Sequence, residues 1–507
     1  MILTSAEMKE QEELAFKDGC TPESLMEEAG ARIALAIEQF VPKQGRCDVF
    51  FGKGNNGGDA LVAARRLAEL GWDVELQAAF PQTEWAKLTR KKYRELREFG
   101  ISLSAGESDL PGGSESPSSV VLDGLLGVGA RGSLRGPILD AARTINHIRA
   151  SSNAQVFSID LPTGLDADTG AADPNTVVAD FTLSIGFAKA GLLADSATAF
   201  TGRLAVLELP GLRFRGPEKE QSAEVADPKT FGRLLPRRPF TMHKGECGRV
   251  GIIAGSAGFL GAAVLASKAC VHAGAGLVTL YVTPDIYPLI APCIAPEVMV
   301  HAVHSYLEIM DARHDVLAIG PGLGHSKAPE ILQLIEKAPQ PMVVDADALN
   351  ALAHRIGLLA SCAGPRLLTP HPGEMARLLG KGGGHKEETG PSRREIVESF
   401  TAKWPVTLLL KGARTIIGER GKPLSYNTTG NPGMATGGMG DVLTGVCAAL
   451  AGQGLALYDA ARVGAWVCGR AAEIAVSSRG ESEESLSAGH IPVYLGSAFR
   501  DVREGCW

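Results

Sequence analysis

Cysteines are few and unpaired in this chain of 507 residues. The nine cysteines are scattered from Cys20 to Cys506, with no C-x-x-C pair. An odd number at such spacing argues against a disulfide framework and suggests no zinc site. Free thiols fit a reducing compartment, and residues 1–10 lack the basic and then apolar order of a signal peptide. We therefore expect a cytoplasmic protein.

An excess of positive charge is also lacking. The formal net charge is -7 and the isoelectric point is near 5.9. A protein that binds nucleic acid through a general positive field has the opposite balance. We therefore expect no nucleic-acid partner, and any phosphate group must be bound by a local pocket.

Long uncharged apolar runs are absent, with one exception. Residues 250–267 carry no charge, but six of these eighteen positions are glycine or serine. The run also lacks the flanking aromatic residues that mark a membrane interface. It predicts a buried strand, a glycine loop and a helix instead of a membrane span, so we expect no membrane partner.

The composition that remains is that of globular domains. Hydrophobic residues make up 45% of the chain and charged residues 21%. A chain of this length exceeds one ordinary core, which predicts two domains. Proline, glycine and a charge cluster interrupt the strand and helix alternation near residue 216. We predict a first domain at 1–215, a linker at 216–226 and a second domain at 227–507, both domains α/β.

The first domain has a glycine-rich segment between a strand and a helix. Residues 47–51 predict a strand, GKGNNGGD follows at 52–59, and residues 60–68 predict a helix. In a parallel α/β unit such a turn meets an anionic ligand. The amides of Asn55 and Asn56 suit phosphate on one side and a cation or sugar hydroxyl on the other. The alternative is a merely flexible turn.

Two further strands of this domain, predicted at 120–123 and 156–160, each end in an aspartate. The carboxyl ends of parallel strands line the ligand crevice of an open sheet. We therefore expect Asp59, Asp123 and Asp160 to converge there, without a basic partner.

Convergent carboxylates of this kind invite a cation. Oxygen ligands from Asn56, Asp123 and Thr163 would suit a hard monovalent or divalent ion.

Three motifs of the first domain resemble the NAD(P)H-hydrate epimerase family. They are GNNGGD at 54–59, DGLLGVG at 123–129 and DLPTGLDADTG at 160–170, and the resemblance covers roughly the first 210 residues. It implies a Rossmann-like parallel sheet with helices on both faces.

The same resemblance implies a ligand set. It implies a potassium ion near Asn56, Asp123 and Thr163. It also implies dinucleotide contacts from Asn55, Asn56, Gly57, Gly58, Asp59, Gly127, Val128, Gly129, Ala130, Arg131, Gly132, Ser133 and Asp160. Asp160 and Asp59 are the candidates for proton handling or ring positioning, and Asp160 is the predicted catalytic residue.

The second domain predicts a parallel sheet whose loops form one composite site. Strand-like segments recur after the run at 250–254 and leave through glycine, proline or aspartate. Loops that follow the carboxyl ends of such strands meet at one edge of the sheet. The strand-like segments are 277–282, 316–319, 342–345, 366–369 and 406–410.

Two side chains in these loops have alternative interpretations. Lys411 ends a predicted strand before Gly-Ala-Arg-Thr, where it could neutralise a phosphate or remain a solvated charge. His371 is held between two prolines, which fits either a ligand contact or simple loop packing.

A glycine-rich loop, NPGMATGGMGD at 431–441, runs directly into the apolar segment 442–450. Glycines before a helix allow backbone N–H groups to face an anion at the helix N-terminus. Asp441 stands in the predicted first turn, where it could cap the helix or take a proton from a substrate hydroxyl. A tight turn with a capping aspartate is the alternative.

The loops of the second domain resemble the ribokinase superfamily. More closely, LTPHPGEMA at 368–376 and GNPGMATGGMGDVL at 430–443 resemble its NAD(P)H-hydrate dehydratase branch. Typical kinases of the superfamily have asparagine three residues before the acidic residue, whereas here His371 precedes Glu374. This departure argues against a plain sugar or vitamin kinase.

This second resemblance implies a ribokinase-like α/β fold, Asp441 as catalytic base and two ligand sets. Substrate contacts are implied for Ala263, Gly324, His371 and Asp441. Nucleotide contacts are implied for Lys411, Gly412, Ala413, Arg414, Thr415 and Gly440. The implied nucleotide is ADP with Mg²⁺, and ATP is the alternative.

Together the two resemblances imply a bifunctional metabolite-repair enzyme of the isomerase and lyase classes. The first domain would interconvert the R and S forms of hydrated NADH and NADPH. The second would dehydrate the S form at the expense of ADP, giving AMP and phosphate. The alternatives are a kinase of a hydroxymethyl vitamin precursor and a non-catalytic scaffold. We expect small-molecule partners and a homo-oligomer.

Overall fold

The computed structural model describes residues 1–103, 118–215, 222–380, 390–478 and 480–507. The chain divides into two compact units, Met1–Gln221 with Trp507, and Ser222–Cys506. Residues 216–221 of the predicted linker lie outside the described residues. In its second part, Ala223–Val225 form an edge strand of the second unit, because they pair with a strand of that unit's sheet.

The first unit alternates strands and helices. Its strands are β1 (Ile2–Leu3), β2 (Arg46–Phe51), β3 (Asp73–Ala78), β4 (Ser118–Gly124), β5 (Gln155–Ile159), β6 (Phe181–Ile185), β7 (Ala188–Lys189) and β8 (Arg203–Leu207). Its helices are α1 (Ser5–Lys17), α2 (Pro22–Phe40), α3 (Asn55–Glu69), α4 (Lys87–Glu98), α5 (Gly136–Ser151) and α6 (Thr198–Thr201).

Six of these strands form a sheet in the order β3-β2-β4-β5-β6-β8, and every neighbouring pair is parallel. Alternate side chains of a strand point to opposite faces. Val49 and Leu122 accordingly pack with α2 and α3 on one face, whereas Phe50 and Val121 pack with α5 on the other. The predicted parallel sheet with helices on both faces is confirmed.

The glycine-rich segment of the first unit is helical earlier than predicted. Helix α3 begins at Asn55, so the motif GNNGGD forms its first turns, where a turn before residue 60 was expected. A Cβ on Gly57 would lie 2.1 Å from the carbonyl oxygen of Gly52, and one on Gly58 would lie 2.4 Å from Met26. These glycines allow the helix start to contact the backbone that precedes it and helix α2.

The second unit is larger. Its strands are β9 (Ala223–Val225), β10 (Arg249–Ile253), β11 (Leu277–Val282), β12 (Val298–Ala302), β13 (Val316–Ile319), β14 (Met342–Val344), β15 (Arg366–Leu368), β16 (Thr407–Leu410), β17 (Ile416–Gly418) and β18 (Leu424–Tyr426). Its helices are α7 (Pro228–Phe231), α8 (Leu260–His272), α9 (Tyr287–Ile290), α10 (Ala328–Lys337), α11 (Ala346–Ala353), α12 (Pro372–Leu378), α13 (Arg393–Lys403), α14 (Met439–Gly452), α15 (Leu457–Ser477) and α16 (Ile491–Glu504).

These strands form one sheet in the order β12-β11-β10-β13-β14-β15-β16-β17-β18-β9. The pairs from β12 to β16 are parallel, and β17 is antiparallel to both of its neighbours. The largest hydrophobic cluster joins one face of this sheet to helices α8, α14, α15 and α16. Helix α14 follows the glycine-rich loop directly, so the packed core holds the start of this helix at the sheet edge.

The uncharged run 250–267 forms strand β10, a loop and most of helix α8, as predicted. Among the residues that the structure describes, no helix is long and apolar enough to cross a membrane.

Candidate active sites

Asp123 lies at the carboxyl edge of the first sheet, near the end of β4, and is fully buried. Its Oδ1 accepts from Thr163 Oγ1 at 2.7 Å, and its Oδ2 accepts from the Thr163 amide at 2.9 Å and Ser158 Oγ at 2.8 Å. Burial raises the pKa of Asp123, although these hydrogen bonds oppose the shift. No lysine or arginine within the described ranges forms an ion pair with this carboxylate.

The other two predicted cation ligands lie beside Asp123. The Asn56 side-chain amide donates to the Leu126 carbonyl at 2.9 Å, and the Leu126 amide donates to Thr163 Oγ1 at 3.2 Å. Leu126 is thus hydrogen-bonded to both Asn56 and Thr163, and Thr163 is hydrogen-bonded to Asp123. The oxygen donors of these side chains fit a hard monovalent ion, whose charge would offset the buried carboxylate.

Asp160 follows β5 with a positive φ of 68°. Its Oδ1 is ion-paired with Lys189 Nζ and accepts from the Ile185 amide at 3.2 Å. Lys189 is fully buried and also donates to Ser184 Oγ at 3.3 Å and to the Ile185 carbonyl at 2.8 Å. The expectation that the aspartates lack a basic partner is therefore wrong for Asp160. Lys189 lies outside every recognised motif, in the two-residue strand β7, so the sequence contained no signal for this contact.

Asp59 and Glu12 share the electrostatic environment of Asp160. Burial, followed by the charges of Asp160 and Glu12, raises the pKa of Asp59 well above its ordinary value. Burial and then the Asp160 charge also raise the pKa of Glu12, which lies on helix α1. Asp59 and Asp160 therefore interact electrostatically, and their convergence on one ligand stays a prediction. Glu12 was not predicted, because α1 carries no glycine or acidic motif.

The loop at 127–133 contributes to a neighbouring cavity of about 420 Å³. Gly127 lies at the Asn56 end of the loop, since a Cβ on it would be 3.5 Å from the Asn56 side chain. Arg131 lines the cavity and forms an exposed ion pair with Asp168 at 3.4 Å. The cavity is lined by Ala130, Arg131, Gly132 and Ser133 together with residues of the 161–174 segment.

In the second unit, the glycine-rich loop ends at the start of helix α14. Gly438 is the N-cap residue with a left-handed φ of 91°, and no side chain caps the helix there. Asp441 lies in the first turn, and no capping hydrogen bond from it occurs among the described residues. The N–H groups at this helix start are consequently open to an anionic ligand.

A largely buried network joins two loops at strand ends and helix α12 to α14. Lys411 Nζ donates to Asp345 Oδ1 at 2.7 Å, and Thr444 Oγ1 donates to Asp345 Oδ2 at 2.8 Å. Lys411 Nζ also lies 3.8 Å from Glu374 Oε2. Burial by itself would lower the pKa of Lys411, but the charges of Asp345 and Glu374 raise it above the ordinary value. Lys411 is therefore a positively charged side chain that is held in place beside the first turn of helix α14.

The environment of Asp441 differs from that of an ordinary surface carboxylate. Burial, followed by the negative charge of Asp345, raises the pKa of Asp441 to about 6. The cation on Lys411 opposes this shift, whereas Asp347 and Glu374 add to it. A carboxyl group with such a pKa can accept and release a proton near neutral pH.

His371 is the N-cap residue of helix α12. Its Nδ1 accepts from the Gly373 amide at 3.0 Å and the Glu374 amide at 3.4 Å. Its own amide donates to Glu374 Oε2 at 2.8 Å, which completes a capping box. His371 therefore organises its loop, and a substrate contact by the other side of its half-exposed ring stays a prediction.

The loop from Lys411 to Thr415 is held from below by Arg393 of helix α13. The Arg393 guanidinium donates to the carbonyls of Leu410 at 3.2 Å, Lys411 at 3.3 Å and Ala413 at 2.8 Å. Arg414 has a positive φ of 61° and a largely buried side chain. No motif marks Arg393, which the sequence analysis missed.

The two remaining predicted substrate contacts, Gly324 and Ala263, lie in segments that follow adjacent strands. Gly324 has a φ of 66°, and its amide donates to Asp347 Oδ2 at 2.8 Å. Ala263 is buried in the first turn of α8, where a Cβ on Gly255 would lie 3.1 Å from it. These loops follow β10, β13 and β14, which are adjacent in the sheet.

Two family models match the chain, one in each unit. The model described as YjeF-related protein N-terminus matches residues 22–191. The model described as NAD(P)H-hydrate dehydratase matches residues 250–491.

Curated relatives match nearly the whole length. The bifunctional NAD(P)H-hydrate repair enzyme of Moorella thermoacetica is 37% identical over 531 residues, covering 99% of this chain and 97% of the relative. That of Escherichia coli is 36% identical, covering 90% of this chain and 86% of the relative. A solved ADP/ATP-dependent NAD(P)H-hydrate dehydratase from Bacillus subtilis, co-crystallised with ATP and Mg²⁺, is 27% identical with a TM-score of 0.48 and covers 55% of this chain and 99% of that chain.

Two α/β units, each with buried ionisable side chains at the carboxyl edge of its sheet, define a two-site enzyme that combines an epimerase-type and a dehydratase-type domain. The full-length matches then decide the family. The chain belongs to the bifunctional NAD(P)H-hydrate repair enzymes. The resemblances drawn from the sequence motifs are thereby confirmed, and neither the vitamin kinase nor the scaffold is favoured.

Proposed function

We propose that this chain repairs hydrated NADH and NADPH in two steps. The first unit interconverts the R and S forms, and the second dehydrates the S form to NADH or NADPH at the expense of ADP, giving AMP and phosphate. The observation that carries the proposal is the pairing of Asp441, with its raised pKa, and an uncapped helix start in one site.

In the second unit, Asp441 takes the proton of the substrate hydroxyl as that oxygen attacks the terminal phosphoryl group of the nucleotide. N–H groups from Gly438 to Gly440 stabilise the transferring phosphoryl. Phosphate then leaves, driven by the lone pair of the ring nitrogen, and the reduced dinucleotide is restored. The substrate is contacted by Ala263, Gly324, His371 and Asp441.

The nucleotide is held by the loop 411–415 together with Gly440. Support comes from the partly buried Lys411, whose charge the Asp345 ion pair fixes beside Gly440. We infer ADP as phosphoryl donor and ATP as the second candidate. The acidic residues Asp345, Asp347 and Glu374 supply oxygen ligands of the type that Mg²⁺ prefers.

In the first unit, the dinucleotide part of the substrate contacts residues 55–59, 127–133 and Asp160, and Asp160 is the catalytic residue. We infer a potassium ion held by Asn56, Asp123 and Thr163. Its support is the buried Asp123 carboxylate, which has oxygen neighbours and, in the described part of the chain, no ion pair with a cationic side chain. The ion would supply positive charge that offsets the Asp123 carboxylate in this crevice. The protons would be transferred by side chains of the protein.

We further infer a cytoplasmic location, which the nine free cysteines support. The domain boundary is inferred within the linker 216–226, in keeping with the two compact units. Small molecules are the inferred partners, and the homo-oligomer stays a prediction that light scattering tests.

The test uses purified chain and a mixture of both hydrate epimers, with ADP, with ATP or without nucleotide. The reduced-nicotinamide absorbance is expected to return completely with the correct nucleotide and not to return without one. In Asp160→Asn, only the S portion is expected to be consumed rapidly. A stable phosphorylated product instead of the reduced dinucleotide would establish a kinase.

A further inference from the structure

Four ionisable side chains from four elements of the first unit interact electrostatically. Asp59 comes from α3, Asp160 from the turn after β5, Glu12 from α1 and Lys189 from β7. The pKa of Asp59 responds to the charges of the other three, and the pKa of Glu12 responds to Asp160 and Lys189. The group contains three carboxyls and one cation.

Lys189 has no donor left for a substrate. Its ammonium group carries three N–H donors. These are directed to Asp160 Oδ1, Ser184 Oγ and the Ile185 carbonyl, and the side chain has no exposed surface. Lys189 can therefore act on a substrate only through Asp160.

Asp160 is oriented by these contacts. Its Oδ1 accepts from Lys189 and from the Ile185 amide. Within the described part of the chain, no hydrogen bond involves Oδ2, and the side chain keeps an exposed fraction of 12%. The contacts with Lys189 and the Ile185 amide thus fix Oδ1, and Oδ2 is the carboxylate oxygen that remains for a substrate.

Asp59 is in the opposite situation. It forms no ion pair with any described residue, and burial together with the neighbouring charges of Asp160 and Glu12 disfavours its ionised form. A buried carboxyl group that favours its protonated form can act as a general acid while a carboxylate held by a cation acts as the general base.

We propose that Lys189 is a positioning residue that orients Asp160 as the general base of the first unit, with Asp59 as its general acid. The inference rests on the epimerase function proposed above for this unit. It assigns separate roles to the two aspartates and adds a residue that no motif contains.

The chemical step follows from these roles and balances. Asp59 gives its proton to the C6 hydroxyl, the C6–O bond breaks with its electron pair on oxygen, and water is formed. The ring nitrogen lone pair forms a C6=N1 double bond, whose positive charge lies beside anionic Asp160. Water adds to the opposite face, the double-bond electrons return to nitrogen, and Asp160 takes the water proton. Transfer of that proton from Asp160 to Asp59 restores the starting state.

The experiment compares Lys189→Met and Asp59→Asn with the wild-type chain. R-to-S conversion is measured without nucleotide, when dehydration cannot run, and S-hydrate dehydration is then measured with nucleotide in the same preparation. The matched control is Lys92→Met, because Lys92 is another buried lysine of this unit, ion-paired with Glu23, Glu27 and Glu95, and among the described residues it forms no ion pair with the four-residue group.

We expect both variants to lose about 100-fold or more of the epimerisation kcat, with S-hydrate dehydration unchanged. In Lys189→Met the rising limb of the epimerisation pH profile should also move to higher pH, since Asp160 loses its cation while Glu12 and Asp59 remain. Lys92→Met should keep its epimerisation rate and pH profile even if it melts at a lower temperature.

An epimerisation rate within threefold of the wild-type rate in either variant would overturn the proposal. A Lys189→Met variant that is slow but has the wild-type pH profile would also overturn it. If Lys189→Met does not fold, Asp59→Asn decides alone, because replacing a protonated carboxyl by an amide preserves shape and charge. A wild-type chain that dehydrates the S hydrate but never interconverts the epimers would refute the proposed epimerase function itself.

Discussion

A base must be ionised to take a proton, and Asp441 ionises only as the pH rises through its raised pKa. With a pKa of about 6, Asp441 is protonated at lower pH and an anion at higher pH. The kcat/KM for S-hydrate dehydration is therefore predicted to rise with pH, with a midpoint near 6, and to level off above it.

This pH dependence is measured from about pH 5 to about pH 8 at saturating nucleotide. Asp441→Asn serves as the control and should lose about 100-fold or more of kcat at every pH. A wild-type rate that stays constant across this range would contradict the assignment of Asp441 as the base.

Individual site residues differ in how far the sequence could predict them. Asp441 and Asp160 lie in glycine-rich motifs, where the local pattern itself indicates a ligand. The roles of Lys189 and Arg393, and the ion pair between Asp345 and Lys411, depend on contacts between segments that are distant in the sequence. A lone lysine or arginine outside a motif has no local signature, because only the tertiary fold shows what it contacts.

The start of helix α14 depends on a glycine at one position. A Cβ on Gly440 would lie 3.1 Å from Lys411 Nζ and 3.5 Å from Asp345 Oδ2. We predict that Gly440→Ala displaces Lys411 and raises the nucleotide KM about tenfold, since small misplacements at such a site are costly.

The matched control for this substitution is Gly496→Ala in helix α16, where a Cβ would meet nothing within 4 Å. It should leave the nucleotide KM unchanged and add slightly to stability. An unchanged nucleotide KM in Gly440→Ala would show that the approach of Lys411 to the helix start is not needed for nucleotide binding.

Strand β15 and helix α10 are joined by one buried guanidinium. Arg366 donates to the carbonyls of Ile335 at 2.7 Å, Gln340 at 2.9 Å and Ala338 at 2.5 Å. We predict that Arg366→Met lowers the free energy of unfolding of the second unit by about 3 to 5 kcal/mol, because several buried carbonyls lose their donor.

Denaturant unfolding measures this change, with Arg394→Met as the control. Arg394 pairs with Glu398 on the exposed surface of α13. Its replacement should lower the free energy of unfolding by less than about 1 kcal/mol. A loss of similar size in the two variants would contradict a special role for the Arg366 contacts.

Elements with a strong local pattern were predicted, and the short strands at one end of the second sheet were not. Strand β13 is formed by the same residues, 316–319, as the sequence predicts, because a continuous apolar run between loops marks a buried parallel strand. The three-residue strands β9, β17 and β18 are too short to show a periodicity and form only by pairing with their neighbours. The early start of α3 was missed because glycine and asparagine usually indicate a turn.

At the scale of the whole chain, two active sites lie in two compact units of one polypeptide. The two-domain α/β organisation followed from length, strand order and two sets of motifs. The family relation covers both units, so the central claim is that each unit supplies one of two consecutive reactions on the same substrate.

The most direct test of this claim is complementation with pure R hydrate and nucleotide. Asp160→Asn alone should dehydrate almost none of it, since it cannot form the S epimer, and Asp441→Asn alone should form the S epimer without dehydrating it. An equimolar mixture of the two variants is predicted to restore the reduced-nicotinamide absorbance at a rate approaching that of the wild-type chain. A mixture no more active than either variant alone would contradict the account.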